Sequence, residues 1–136
     1  MTTPKLTKEK NRMDRITSMF GTIQFNNIAF NIAEIMADNY NGGFWDYLED
    51  ENGRFLYMAP TSGNFDISVE GNGFTGNVDA DTFGIIVTLT GLSHLMMYLF
   101  EKNKHHGHEH LNDLFFRLRQ VALEHENAAT IMQAID

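Results

Sequence analysis

Cysteine is absent from the chain, so disulfides and thiolate nucleophiles play no part in it. The absence fits a reducing compartment and points to a cytoplasmic protein. Proline occurs only at Pro4 and Pro60, and no proline-rich linker, internal repeat or low-complexity tract divides the 136 residues. Residues 1–136 therefore read as a single domain. Positive charge is scarce as well. Residues 16–101 hold eleven acids and one base, Arg54, in a chain of net charge −8. Such a body repels a phosphate backbone, which disfavours a DNA reader or a phosphate-binding enzyme. Residues 1–20 form a looser basic segment, with Lys5, Lys8, Lys10, Arg12 and Arg15 against Glu9 and Asp14. No apolar run follows them, so a secretory signal is not expected.

What is present is an ordinary globular composition, 43% hydrophobic and 21% charged. Phe25, Ile28, Ala29, Ile32, Ile35 and Met36 recur at helical spacing and predict a helix over 22–38, broken by Asn39, Asn41, Gly42 and Gly43. Two aromatic-rich runs, Phe44 to Glu49 and Arg54 to Ala59, are joined through Asn52-Gly53, a hairpin signal. A loop of two or four residues puts Trp45, Tyr47, Leu56 and Met58 on one face. Phe44, Asp46, Leu48, Phe55 and Tyr57 then share the other. Phe65 to Glu70 alternates as a third strand, and a short fourth lies near Phe74. Asp79 or Asp81 can cap the next helix.

That helix, Thr82 to Phe100, has no charged residue in nineteen positions. Its length would span a bilayer, but Thr82, Thr88, Thr90, Ser93 and His94 make it a central core helix instead. Gly84, Thr88 and Gly91 give it a small-residue stripe suited to close packing. Leu111, Leu114, Phe115, Leu118, Val121 and Ala122 mark another amphipathic helix, and Ala128, Ile131, Met132 and Ile135 a short last one. The fold class is α+β: a small antiparallel sheet of three to four strands packed with four to five helices.

Motifs for chemistry are weak. Gly71 to Gly76 spells a dinucleotide fingerprint, but Asn77, Val78 and Asp79 separate it from the helix and no βαβ unit follows. Tight turns explain those glycines. His105, His106, His108 and His110 could gather a metal, yet clustered histidines on one loop lack the separated, rigid supports of most sites. Ser93 and His94 are adjacent on a helix and point about 100° apart, so they cannot pair as nucleophile and base. His94 reads as a hydrogen-bonded core or interface histidine, and His125 as a helix C-terminal one. Asp46, Glu49, Asp50 and Glu51 crowd six positions; the last three fall at a solvated hairpin tip, while Asp46 lies on an apolar face and must find a donor.

Several blocks together resemble a known family. They are "DNYNGGFWDYLEDENGRFLYMAP", Gly73-Phe74 with Gly76, "DADTFGIIVTL", "LRQVALEH" and the closing Ala134 to Asp136. In order and spacing, from residue 38 to 136, they are similar to the ArdB/KlcA-type antirestriction proteins of plasmids and mobile elements. Glu126 stands where the pattern has proline, and the histidine run lies outside the pattern. The resemblance implies a compact mixed α/β fold, no enzyme activity and no cofactor. It also implies inhibition of type I restriction–modification systems, protecting unmodified incoming DNA. The expected partner is a restriction subunit or an associated host protein, with no direct nucleic-acid contact and no membrane; a homodimer is permitted but not required. Argued from this sequence alone, the candidate interaction surface is Asp46, Glu49, Asp50, Glu51 and Asp136, which carries side-chain and terminal carboxylates together. The rivals are an acidic DNA mimic and a metal-dependent protein using the histidine run.

Overall fold

The computed structural model describes residues 5–6, 24–102 and 108–136. Its elements are β1 (Lys5–Leu6), α1 (Gln24–Met36), β2 (Trp45–Glu49), β3 (Phe55–Pro60), β4 (Asn64–Val69) and β5 (Phe74–Asp79), then α2 (Ala80–Glu101), α3 (His108–Glu124) and α4 (Ala128–Ile135). The architecture is α+β. The strands form two antiparallel sheets, β1-β2-β3 and β4-β5, where the sequence suggested one. Of the basic segment 1–20, only Lys5–Leu6 is described, paired with Glu49 and Leu48.

The predicted facing of the first hairpin survives a different turn except at Phe55, which opposes Glu49 and packs against Tyr47 instead of siding with Leu48 and Tyr57. Asp50 to Arg54 make a five-residue connection, with Gly53 at φ 76°. A register shift skips Leu56, so Tyr47 opposes Met58 and Leu48 opposes Tyr57. The bulge restores the parity that an odd loop would break. Phe44 departs from expectation: it precedes β2 and is exposed. On α1, Phe25, Ala29, Ile32, Ala33 and Met36 are buried while Ile35 faces out, one position past the apolar stripe.

Helix α2 organises the core. Asp79 caps it by accepting from the Thr82 N–H at 2.8 Å. Its N-terminal half is buried from Thr82 to Leu89, so it is the core helix of this fold and not a membrane span. The small-residue stripe meets two elements. Gly91 lies under Phe25, Ile28 and Ile32 of α1, whereas Gly84 faces the backbone of Met58 and Ala59 in β3. One turn on, the buried Thr88 hydroxyl accepts from the Met58 N–H (3.2 Å) and donates to the Met58 carbonyl (3.3 Å). Strand β3 ends its sheet among the described residues, and here a side chain satisfies backbone groups that a further strand would otherwise take. Thr88→Val keeps the shape but strands both groups. It should cost about 1–3 kcal/mol, read as a lower urea midpoint with unchanged slope.

Aromatic rings tie the two sheets together. Phe65 of β4 stacks on Phe83 of α2 at 4.5 Å, and Trp45 of β2 packs against Phe30, Tyr40 and Phe83. The indole N–H donates to the Tyr40 hydroxyl at 3.0 Å. Trp45 is therefore scaffold.

Candidate functional site

The acids of the first hairpin separate by role. Asp50, expected at a solvated tip with no structural duty, is 4% exposed and wires the turn. Its Oδ1 accepts from the N–H groups of Asn52 (2.9 Å) and Arg54 (3.0 Å), and its Oδ2 from Arg54 Nε (3.0 Å). The same Oδ2 receives Arg117 Nη1 from α3 at 3.2 Å, and Arg117 Nη1 also reaches the Phe55 carbonyl. Asp113, one helical turn before Arg117, takes its Nε at 2.9 Å. Burial alone would raise the Asp50 pKa. The two N–H groups, reinforced by the guanidinium charges, outweigh it and hold the carboxyl below the ordinary range.

This clamp forms one wall of a hollow of about 330 Å³ between the hairpin turn and α3. Glu51, Asn52, Leu56, Gln120, Val121 and Glu124 complete the lining. Of the five candidate acids, Asp50 and Glu51 meet here. Asp46 and Glu49 are half-buried on β2, and both are engaged with neighbouring groups. Asp136 lines a different hollow, between α3 and α4. The sequence reading missed Arg54, Arg117, Gln120 and Glu124. Only the spacings Asp50–Arg54 and Asp113–Arg117, each four residues, hinted at the arginines.

A second polar cluster joins β3, α2 and the connection between α3 and α4. Tyr57 donates its hydroxyl to Asp81, and His125 Nε2 lies 2.8 Å from the other Asp81 oxygen. The His125 Nδ1 accepts the Asn127 N–H at 3.0 Å. That assigns the neutral ring its Nε2–H tautomer and leaves neither nitrogen for a substrate. Burial, then the bond to Asp81 and the charges of Asp81 and Asp79, push the Tyr57 pKa well above the usual phenol value. Asp79 is held low by the Thr82 hydroxyl and N–H and by His125, against a burial effect that alone would raise it. This is a joint between elements. At the β4–β5 turn, Asn72 donates to the carbonyls of Gln133, Ala134 and Asp136, closing the end of α4. Asn72→Ala should free that end and lower stability by about 1–2 kcal/mol, with amide exchange in α4 rising before the core's.

His94 is exposed on α2, so it is not a core histidine. His105 and His106 lie outside the described residues; His108 and His110 fall in the first turn of α3. Among the described residues no group of three or more metal-ligating side chains converges.

The sequence profile of the antirestriction proteins matches residues 38–136, which is most of the chain. The chain belongs to the antirestriction protein family. An Escherichia coli antirestriction protein KlcA is 42% identical over 98 residues, covering 71% of this chain and 64% of that protein. Another Escherichia coli KlcA is 32% identical over 138 aligned residues, covering 98% and 94%. Among solved structures, one matches with a TM-score of 0.85 at 34% identity, over 99% of this chain and 95% of that one. It comes from the KlcA and ArdB proteins, reported to have a novel fold and antirestriction activity against type I DNA restriction systems in vivo but not in vitro. The family match covers the hairpin, both polar clusters and every helix except α1.

Proposed function

We propose that this antirestriction protein acts in living cells against type I restriction systems by binding a protein, without chemistry of its own. The observation that carries the reading is the near full-length match to proteins active in vivo but not in vitro. An inhibitor that simply filled the enzyme's DNA-binding cleft would act on the purified enzyme as well. Activity confined to cells calls for a further cellular component, which makes an associated host protein the favoured partner. The acids also argue against a DNA mimic, which needs carboxylates free and spaced like phosphates. Asp50, Asp79, Asp81 and Asp113 instead hold the fold together through internal partners. Of the candidate acids, Glu51 at the turn and Asp136 just past α4 stay exposed, and these two are offered to a partner.

The test plates unmodified and modified phage on hosts carrying a type I system, with and without the protein, beside a cleavage assay with purified enzyme. Unmodified phage should recover by a factor of ten or more while modified phage are unaffected, and purified cleavage should continue. Stoichiometric inhibition of the purified enzyme would hand the case to the DNA mimic. Undiminished restriction across several type I systems, with the protein soluble, would end the antirestriction reading for this chain.

A further inference from the structure

Ser93, Met96, Met97 and Phe100 form an outward stripe on α2 and, with Asn112 of α3, line a hollow of about 390 Å³. Ser93 also borders a smaller hollow of about 160 Å³, closed by Phe115 of α3 and Ile135 of α4. Phe115 and Ile135 open in turn onto a third, about 490 Å³, with Arg119, Leu123, Met132, Gln133 and Asp136. The shared residues join the three into one groove, which follows the α2–α3 seam and turns onto the α3–α4 seam. Large apolar side chains stand in water along it: Met97 is 63% exposed, Phe100 67% and Leu123 44%. Thr90, Ser93 and His94 put polar groups where the first two hollows meet, and exposed apolar side chains gathered on either side of them mark a contact surface. Its α2 portion alone, from Leu89 to Phe100, runs roughly 16 Å, about three helical turns. Arg119 lies on the same stripe of α3 as Phe115 and Leu123, and among the described residues no ion pair or hydrogen bond engages it.

We propose that this groove seats an amphipathic helix of a cellular protein, whose apolar stripe covers Met97, Phe100 and Leu123 and whose carboxylate meets Arg119. The inference rests on the reading above, that protection requires a component absent from the purified reaction. A second copy of this chain cannot be that component, because every purified sample contains it. Helix-in-groove docking suits a seam between helices, with large anchors at intervals of three or four residues. The charges narrow the match: Arg119 and Asp136 line the same end of the groove, so the docked helix presents an acid to the first and a base to the second.

Three groove variants, Met97→Glu, Leu123→Glu and Arg119→Glu, would be compared with Ile35→Glu, which changes an exposed apolar residue on α1. Phage protection in cells, the melting temperature and the sedimentation mass would be measured for each. The purified proteins would also be titrated with anilinonaphthalene sulfonate, an apolar ring system bearing one anionic group. The groove variants should stay folded, lose protection at least tenfold and bind the dye at least tenfold more weakly, while Ile35→Glu matches the parent. Full protection by folded groove variants overturns the proposal. So does an equal loss in Ile35→Glu, or a dimeric parent that the groove variants split, which would make the occupant a second copy. If the parent itself gives no protection, the antirestriction reading fails on its own. The dye then judges the groove: weaker binding by the groove variants supports it, and equal binding by all four overturns it.

Discussion

An alanine at position 84 should destabilise the protein by about 3 kcal/mol or more, at or beyond the upper end of the usual cost of overpacking. On helix propensity alone the change would be favourable by about 1 kcal/mol. Packing reverses the sign. A Cβ on Gly84 would sit 2.2 Å from the Ala59 Cβ and 2.5 Å from both the Ala59 Cα and the Met58 carbonyl oxygen. Two of those three atoms belong to the backbone of a buried strand, so no side-chain rotation relieves the contact. The helix must move away from β3, and that movement also draws Thr88 from the Met58 N–H and C=O. Thermal unfolding should show a midpoint lower by roughly 10 °C. Ala59→Gly in the same chain should recover only part of the loss, since the backbone contacts remain. Gly91→Ala is the contrasting case. There the nearest atom is the Phe25 ring edge at 3.3 Å, a side chain with room to give, and the effect should be small. Equal stability of Gly84→Ala and the parent would refute the packing account.

The second large effect belongs to Asp50. Asp50→Ala removes the acceptor of two backbone N–H groups and the counter-charge of Arg54 and Arg117. It should cost about 3 kcal/mol, the range for breaking a buried pair from one side. Arg117→Met keeps the aliphatic stem and leaves Asp50 its N–H partners and Arg54, so it should cost less. A double-mutant cycle should then give a coupling of about 1 kcal/mol or more between Asp50 and Arg117. Acid sensitivity follows with a definite sign. A carboxyl whose folded pKa lies below its unfolded value contributes stability at pH values above the unfolded pKa of about 3.9. That contribution is lost as the pH falls through the folded value. Asp50 and Asp79 both have lowered values. The protein should therefore hold its stability from neutral pH to about 4 and lose it steeply below that. Asp50→Asn should be less stable at neutral pH and flatter along the acid limb. An acid limb of unchanged slope would show that Asp50 titrates alike in the folded and unfolded chains.

Local rules read well wherever the chain answers to its neighbours in sequence. Phe65 and Ile67 point inward with Asp66 and Ser68 outward, as alternation requires. Asp79 caps α2, and the spacing of Leu111, Leu114, Leu118 and Ala122 delivers the buried face of α3. Reading failed where the deciding partner is remote. Asp50 looked solvated because Arg117, which helps to bury it, lies 67 residues away. Nothing in the runs of β3 and β4 tells that a helix, instead of another strand, covers β3. Hence one sheet was expected and two are present. His94 shares its helix with buried neighbours, yet it falls on the face that no element covers. The family blocks, by contrast, were legible as residues in order. The longest lie in the hairpin, the turns and the N-terminus of α2, where backbone geometry restricts what can stand, and two shorter ones at the ends of α3 and α4. Of the groove along α2, α3 and α4, Arg119, Leu123 and Ile135 fall within those blocks, but nothing in the blocks marks them as a groove. Its residues come from three helices, and each taken singly passes for an ordinary amphipathic position.

The Thr88 contact also sets an order of events during synthesis. The β2–β3 hairpin can close as soon as its strands clear the ribosome, because Asp50 wires the turn from within. The groups on Met58 that Thr88 satisfies must wait for a residue thirty positions later. At about 5–20 residues per second that wait lasts roughly 2–6 seconds. For that interval the nascent chain carries an unprotected strand edge beside an uncharged helix still emerging. Slow translation across residues 58–88 would lengthen the exposure, and faster translation or a bound chaperone would shorten it.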